Sequence, residues 1–254
     1  MNLQCSTELV AAYKAGPQIA RVLSEYWCSR ELYCPACDSN HISPSRVNTP
    51  ALDFTCPKCE QTFQLKSSRI WNPKKIPDAA YDSMIRAIRS DRAPHLLLLQ
   101  YTSEWYIKNV LLVPRMFFSE SVIEKRKPLS TTARRAGWVG CNILLSGIPE
   151  DGKIAIVSAG LPMPEKRVRG EFERVRGLAE LPPSFRGWTV EVLNVIRRLG
   201  KSQFSLQELY QLEPELQALH PNNRNVRPKI RQQLQVLRDL RLLDFRDKGI
   251  YRLR

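Results

Sequence analysis

Residues 53 to 67, DFTCPKCEQTFQLKS, place an acid, a CxxC pair, a carboxamide and a lysine within fifteen positions. Asp53 stands three residues before Cys56, and Lys66 stands seven after Cys59. An acid, a second oxygen donor and an ammonium meeting on adjacent strands are what phosphodiester hydrolysis requires. Mg2+ takes oxygen ligands and screens the phosphate, while a lysine orients the attacking water and stabilises developing charge. Side chains two apart on a strand share a face, so Gln64 and Lys66 project together if this segment is extended. The pattern D-x10-QxK is short enough to arise by chance, and the plain alternative is a solvated lysine on an edge strand.

The cysteines make a sharper signal. Cys34-x2-Cys37-x18-Cys56-x2-Cys59 forms two CxxC knuckles, each setting two thiolates on one side of a tight turn, so that together they complete a tetrahedron. Four thiolates suit Zn2+ and leave no open coordination position, which makes the site structural. Disulfides are the alternative, disfavoured if the chain resides in a reducing compartment. Cys5, Cys28 and Cys141 have no partner at ligand spacing.

These residues need elements to position them. Leu9, Val10, Tyr13, Ile19, Val22 and Leu23 have helical spacing over residues 6 to 28, around Pro17 and with Ser6 as the expected N-cap. ALDFTC and QTFQLKS read as two strands joined at PKCE. Residues 78 to 90 fit an amphipathic helix opened by Asp78, and HLLLLQYT with WYIKNVLLVP fits a hairpin of buried strands. Helix, strands, helix, strands describes one mixed α/β domain. The Pro-, Gly- and Arg-rich stretch 160 to 186 reads as a connector with at most one polar helix, which sets domains of 1–183 and 184–254.

In the second domain WTVEVLNVIRRL is helical. SLQELYQLEPELQALH opens with a Ser205/Glu208 capping box, and NVRPKIRQQLQVLRDL is a third helix with Ile230, Leu234, Leu237 and Leu240 inward. LLDFRDKGIYRLR is a hairpin turning at 247 to 249. Three helices closed by a hairpin form a winged helix-turn-helix. The outer face of its third helix offers Arg227, Lys229, Arg231, Gln232, Gln233, Gln235 and Arg238 to phosphates and base edges.

The charge agrees. The 254 residues carry 39 Lys and Arg against 25 Asp and Glu, a net +14, and half of that excess sits on residues 184–254. Such a chain favours a polyanion, and nucleic acid is the expected one. The apolar run 96 to 113 is interrupted by Gln100, Glu104 and Lys108, so no membrane span is expected, and the start MNLQCSTELV lacks a signal-peptide layout. The expectation is a cytoplasmic protein. His41, His95 and His220 are scattered, and there is neither a P-loop nor a Gly-rich dinucleotide motif, so no ATP dependence is expected.

Longer runs carry a resemblance: CPAC and CPKC around the acid, DF at 53 and 54, TARRAGWVGCNI at 132 to 143, RGWT at 186 to 189, and KIRQQLQVLRD at 229 to 239. On these runs the chain resembles, along its full length, the PD-(D/E)xK nuclease superfamily. Within it the likeness is to the DpnI-like, methyl-directed (type IIM) restriction endonucleases, which cut GATC when its adenine is N6-methylated. The resemblance implies an α/β PD-(D/E)xK core with a four-cysteine zinc site, followed by an α+β winged-helix domain. It makes Asp53 the metal-binding acid, Lys66 the catalytic lysine, and Cys34, Cys37, Cys56 and Cys59 the zinc ligands. It further implies that both domains recognise methylated double-stranded DNA, with Trp138 near the methylated base, and that the enzyme acts as a monomer.

The chemistry of RRAGW agrees: Arg134 and Arg135 can hold phosphates, and an indole offers an apolar surface to a methyl group. Packing is the plain alternative for Trp138. The departure is Gln64, where the superfamily usually has a second acid. In the active reading Asp53, the Gln64 oxygen and the Leu65 carbonyl hold Mg2+ (or Mn2+), and Lys66 positions the water. Two other readings stay open: a methyladenine reader or repressor that binds without cutting, and a zinc-ribbon winged-helix transcription factor indifferent to methylation.

Overall fold

Two short apolar stretches flank PKCE, and in the computed structural model, which describes residues 1–45 and 52–254, they pair as an antiparallel hairpin. Ahead of them the chain makes a 3-10 turn, Thr7–Val10, and α1, Gly16–Glu31. Pro17 stands in the first turn of α1, where its missing N–H costs nothing, so it starts the helix instead of interrupting one. Ser6 makes no side-chain cap, since what it precedes is a single 3-10 turn.

Then come β1 (Ser43–Pro44), β2 (Phe54–Thr55), β3 (Thr62–Ser68), β4 (Lys75–Ala80) and α2 (Tyr81–Arg89). Asp78 does not open α2 as expected; it is buried in β4, opposite Cys141. Pro77 favours extended backbone before it, and β4 is an edge strand that tolerates a proline, so the strand runs on to Ala80. The expected hairpin follows as β5 (His95–Tyr101) and β6 (Ile107–Val113). Next are β7 (Ile123–Lys125), β8 (Gly140–Leu144), β9 (Ile154–Ser158), β10 (Leu161–Pro162) and α3 (Glu165–Arg176). The stretch expected as a connector thus carries a helix that buries Val168, Phe172 and Val175.

The remainder is α4 (Pro183–Arg198), β11 (Gln203–Ser205), α5 (Leu206–Tyr210), α6 (Glu213–Leu219), α7 (Val226–Asp239), β12 (Leu243–Asp247) and β13 (Ile250–Leu253). The Ser205/Glu208 capping box forms: Glu208 N–H donates to Ser205 Oγ at 3.2 Å, and Ser205 N–H donates to the Glu208 carboxylate at 2.7 Å. The single helix expected after it is two, because Pro214 opens a fresh first turn in α6.

Residues 1–72, 94–115 and 152–173 form one compact unit, and residues 73–93, 116–151 and 174–254 form a second. The first unit holds a seven-stranded sheet in the order β1-β2-β3-β5-β6-β9-β10. Its neighbours pair antiparallel except β3 and β5, which run parallel from Phe63 opposite His95 to Ser68 opposite Gln100. Leu96, Leu97, Leu98 and Leu99 are all buried, as expected of a central strand covered on both faces. α1 packs Leu23, Trp27 and Cys28 inward and touches β3, where Ser24 Oγ and Ser67 Oγ lie 3.0 Å apart.

The second unit holds the antiparallel sheet β4-β8-β7 with α2 against it. It also holds the bundle of α4, α6 and α7, closed by the sheet β11-β13-β12, the wing. Buried Arg186 of α4 pairs with Asp91 at 2.5 Å, and Glu191 of α4 accepts from Ser121 Oγ at 2.5 Å. Among the described residues no helix is long and apolar enough to cross a membrane.

Candidate functional site

Asp53 lies one residue before the Phe54–Phe63 pair, and its N–H donates to the Phe63 carbonyl at 2.9 Å. The consequence is local: its carboxylate accepts from the Leu65 N–H at 2.7 Å. The acid is therefore fixed to the stretch of β3 that carries Gln64, Leu65 and Lys66. Gln64 is buried and Lys66 half-buried. Asp53, Gln64, Leu65 and Lys66 are thus brought together at one hairpin in the first unit.

A groove of about 260 Å³ opens beside this strand, lined in part by Arg21, Ser24 and Glu25 of α1, Leu65 and Ser67 of β3, and Tyr101 of β5. Glu25 is a residue that sequence reasoning missed. Burial raises its carboxyl above the usual range, Arg21 at 2.9 Å opposes that, and repulsion from Asp53 adds to it. This coupling puts a second carboxylate in the electrostatic reach of Asp53. No spacing rule reveals it, since Glu25 lies 28 residues upstream in a different element.

The four cysteines of the two knuckles converge as the spacing predicts. All four Sγ atoms lie within 4.8 Å of one another, with Cys34 and Cys59 at 3.6 Å and Cys37 and Cys56 at 3.5 Å. Zn–S bonds near 2.3 Å in a tetrahedron require sulfur separations of about 3.8 Å, so the set fits Zn2+. Each knuckle aims a backbone N–H at a sulfur: Ser39 at Cys37 Sγ and Lys58 at Cys56 Sγ, both at 3.4 Å. Burial pushes the Cys56 thiol up, but the N–H groups of Cys59 and Lys58 outweigh it and bring the group down to about 6. Burial dominates at Cys59, raised to about 11, and at Cys34, raised further. Arg169 of α3 anchors the first knuckle, donating to the carbonyls of Cys34 at 3.1 Å and Ser39 at 3.0 Å while lying over the Tyr33 ring.

The remaining expected residues belong to the second unit. Arg134 and Arg135 are exposed on the loop before β8, and the Arg135 guanidinium lies 4.8 Å from the half-exposed Trp138 ring. The loop turns at Gly137, whose φ of +76° favours glycine, and Trp138 covers Gly140, where an added Cβ would meet the ring at 2.8 Å.

On α7, Arg231, Gln232, Gln235 and Arg238 are exposed, Lys229 is half-buried, and Ile230, Leu234 and Leu237 are buried as predicted. Gln233 is a correction. It is fully buried and accepts from Thr189 Oγ1 of α4 at 2.7 Å, so it holds α4 to α7 and does not belong to the outer face. Helical spacing places 233 between the apolar 230 and 237, on the inward stripe. Lys229 Nζ lies 4.5 Å from the Phe185 ring and donates to Gln232 at 2.8 Å, and burial lowers its pKa. Arg231 donates to the Tyr210 hydroxyl at 3.0 Å.

Two family models match the chain: DpnI, described as the Dam-replacing family, over residues 1–181, and the Dam-replacing HTH domain over residues 184–253. The exposed basic face of α7 lies within the second match, and the acid-and-lysine hairpin with its four cysteines lies within the first. With nearly the whole length matched, the chain belongs to the DpnI, or Dam-replacing, family of restriction endonucleases and ends in that family's DNA-binding helix-turn-helix domain.

Proposed function

We propose that the protein is a methyl-directed type II restriction endonuclease that hydrolyses phosphodiester bonds in double-stranded DNA at N6-methyladenine sites, with methylated GATC as its target. The observation that carries this reading is the 2.7 Å hydrogen bond from Leu65 N–H to Asp53, which fixes an acid against the strand bearing Gln64 and Lys66. In this reading residues 1–183 form a PD-(D/E)xK nuclease domain and residues 184–254 a winged-helix reader.

Asp53, the Gln64 carboxamide oxygen and the Leu65 carbonyl form an oxygen donor set suited to Mg2+, which when bound screens the scissile phosphate. Lys66 holds the attacking water and faces the charge that develops on the phosphate. Gln64 leaves the set one negative charge short, and Glu25 across the groove supplies it, matching the one or two carboxylates that Mg2+ takes beside phosphate and water. Trp138 meets the methyl group from the loop before β8, and Arg134 and Arg135 hold the backbone around it. On α7, Arg231, Gln232, Gln235 and Arg238 face the major groove, and Lys229 contributes charge.

The test is digestion of GATC-containing plasmid from adenine-methylating and non-methylating hosts with Mg2+ or Mn2+. Fragments from the methylated plasmid alone are expected. Asp53→Ala and Lys66→Ala should abolish cleavage and leave the gel shift on methylated duplex intact; equal loss of binding in both variants would overturn these roles. Glu25→Gln should raise the Mg2+ concentration needed for half-maximal cleavage by about tenfold or more. The second reading, a methyladenine reader or repressor, is favoured by Gln64, and a methyl-selective shift with no cleavage in either metal would establish it.

A further inference from the structure

Among the described residues Ile70 is the most exposed large apolar side chain, at 85% exposure, and it stands four residues beyond Lys66. Its turn is built stiffly. Ser68 Oγ donates to the Ile70 carbonyl at 2.8 Å and accepts from the Ile70 N–H at 3.2 Å, closing the turn on itself. The next carbonyl back, that of Arg69, accepts from Gln100 Nε2 on β5 at 3.1 Å. Gln100 in turn accepts from Asn109 Nδ2 on β6 at 2.7 Å, and Asn109 accepts from the Ala159 N–H after β9 at 2.8 Å. A chain of polar side chains thus crosses the sheet and ends by bracing the turn that presents Ile70.

Exposing an isoleucine to water on a rigid mount has no stabilising role for the folded chain. Its surroundings say what covers it. The segment SSRIWN from 67 to 72 carries Arg69 and no acid, on a chain of net charge +14 with a family DNA-binding domain, so the occupant is a polyanion with an apolar interior. Ser67 and Ser68 also line the groove that runs past Leu65, and Ile70 stands two residues beyond Ser68. Four residues of chain span at most about 13 Å, some four base steps along a strand.

Resting on the nuclease reading above, we propose that Ile70 is a DNA wedge, an apolar side chain pressed into the base stack within about four steps of the scissile phosphate. By unstacking one step it bends the duplex so that the scissile phosphate settles against Asp53 and Lys66. It is a positioning residue: it touches bases, not the reacting atoms.

The experiment uses the full chain, without added Mg2+, and a set of methylated GATC duplexes each carrying one 2-aminopurine at a different flanking position. Binding is read by anisotropy and unstacking by 2-aminopurine fluorescence. The unsubstituted protein is expected to raise the fluorescence of one probe position. Ile70→Ala should return that probe to its unbound level and, in a parallel assay with Mg2+ added, slow cleavage about tenfold or more, and Ile70→Leu should restore both. Binding with no responsive position, or a response unchanged in Ile70→Ala, overturns the wedge and leaves the nuclease reading standing. Absence of any methyl-selective binding or cleavage by the unsubstituted protein overturns both.

Discussion

At the scale of single residues, position in the hydrogen-bond network decides more than residue type. His95 is fully buried: it accepts from Arg115 N–H at Nδ1 at 2.9 Å and so donates from Nε2 to Gln61 at 2.8 Å. Burial, with a smaller push from Arg115, brings its pKa from 6.5 down to about 3. As pH falls below 6.5 the unfolded chain takes up this proton while the folded chain refuses it. Stability therefore falls with pH from about 6.5 towards 3, by up to about 1.4 kcal/mol per unit. Thermal melts between pH 7 and pH 5 should show a shallower loss in His95→Gln than in the unsubstituted chain; identical slopes would refute the assignment. The sequence exposed the cluster of four cysteines because two CxxC knuckles are themselves a ligand pattern, and the two strands it implied do bring Asp53 to the strand of Gln64 and Lys66. It hid Glu25, whose partner lies in another element, and it misled at Gln233, a polar side chain on the inward stripe of α7 whose hydrogen bond to Thr189 no pattern announces.

At the scale of elements, two cysteine knuckles that fit Zn2+ include the turn of the hairpin that carries the candidate active site. One Zn2+ per chain is expected by metal analysis of the purified protein. Cys56→Ser should lower the zinc content and destabilise the fold by about 3 kcal/mol or more, read from denaturation midpoints. The β8 loop makes a separate prediction. Gly140→Ala sets a methyl group 2.8 Å from the end of the Trp138 ring, which must swing aside, and should reduce the preference for methylated over unmethylated duplex. An unchanged preference would show that Trp138 packs and does not read. Long strands, the α7 helix, the Ser205/Glu208 capping box and the wing were legible because periodicity and turn chemistry act locally. The start of α2 and the split of α5 from α6 were not, because Pro77 and Pro214 shift boundaries in ways that depend on strand pairing and on a fresh helical turn.

At the scale of the whole molecule, the charge of +14 governs how the protein meets DNA. If six to ten phosphates are contacted, affinity for methylated duplex should fall by about a thousandfold or more between 50 and 200 mM salt, measured by anisotropy. A flat salt response would remove phosphate contacts as the basis of binding. What no local pattern revealed is that the two compact units are interleaved along the chain. Sheet β4-β8-β7 and α2 are laid down early, in segments 73–93 and 116–151, while helices α4 to α7 of the same unit follow after residue 174. On a ribosome, the hairpin bearing Asp53 and Lys66 and every strand of its sheet emerge before those helices exist. Translation arrested before residue 184 would therefore release the seven-stranded sheet and its hairpin without the helix-turn-helix domain.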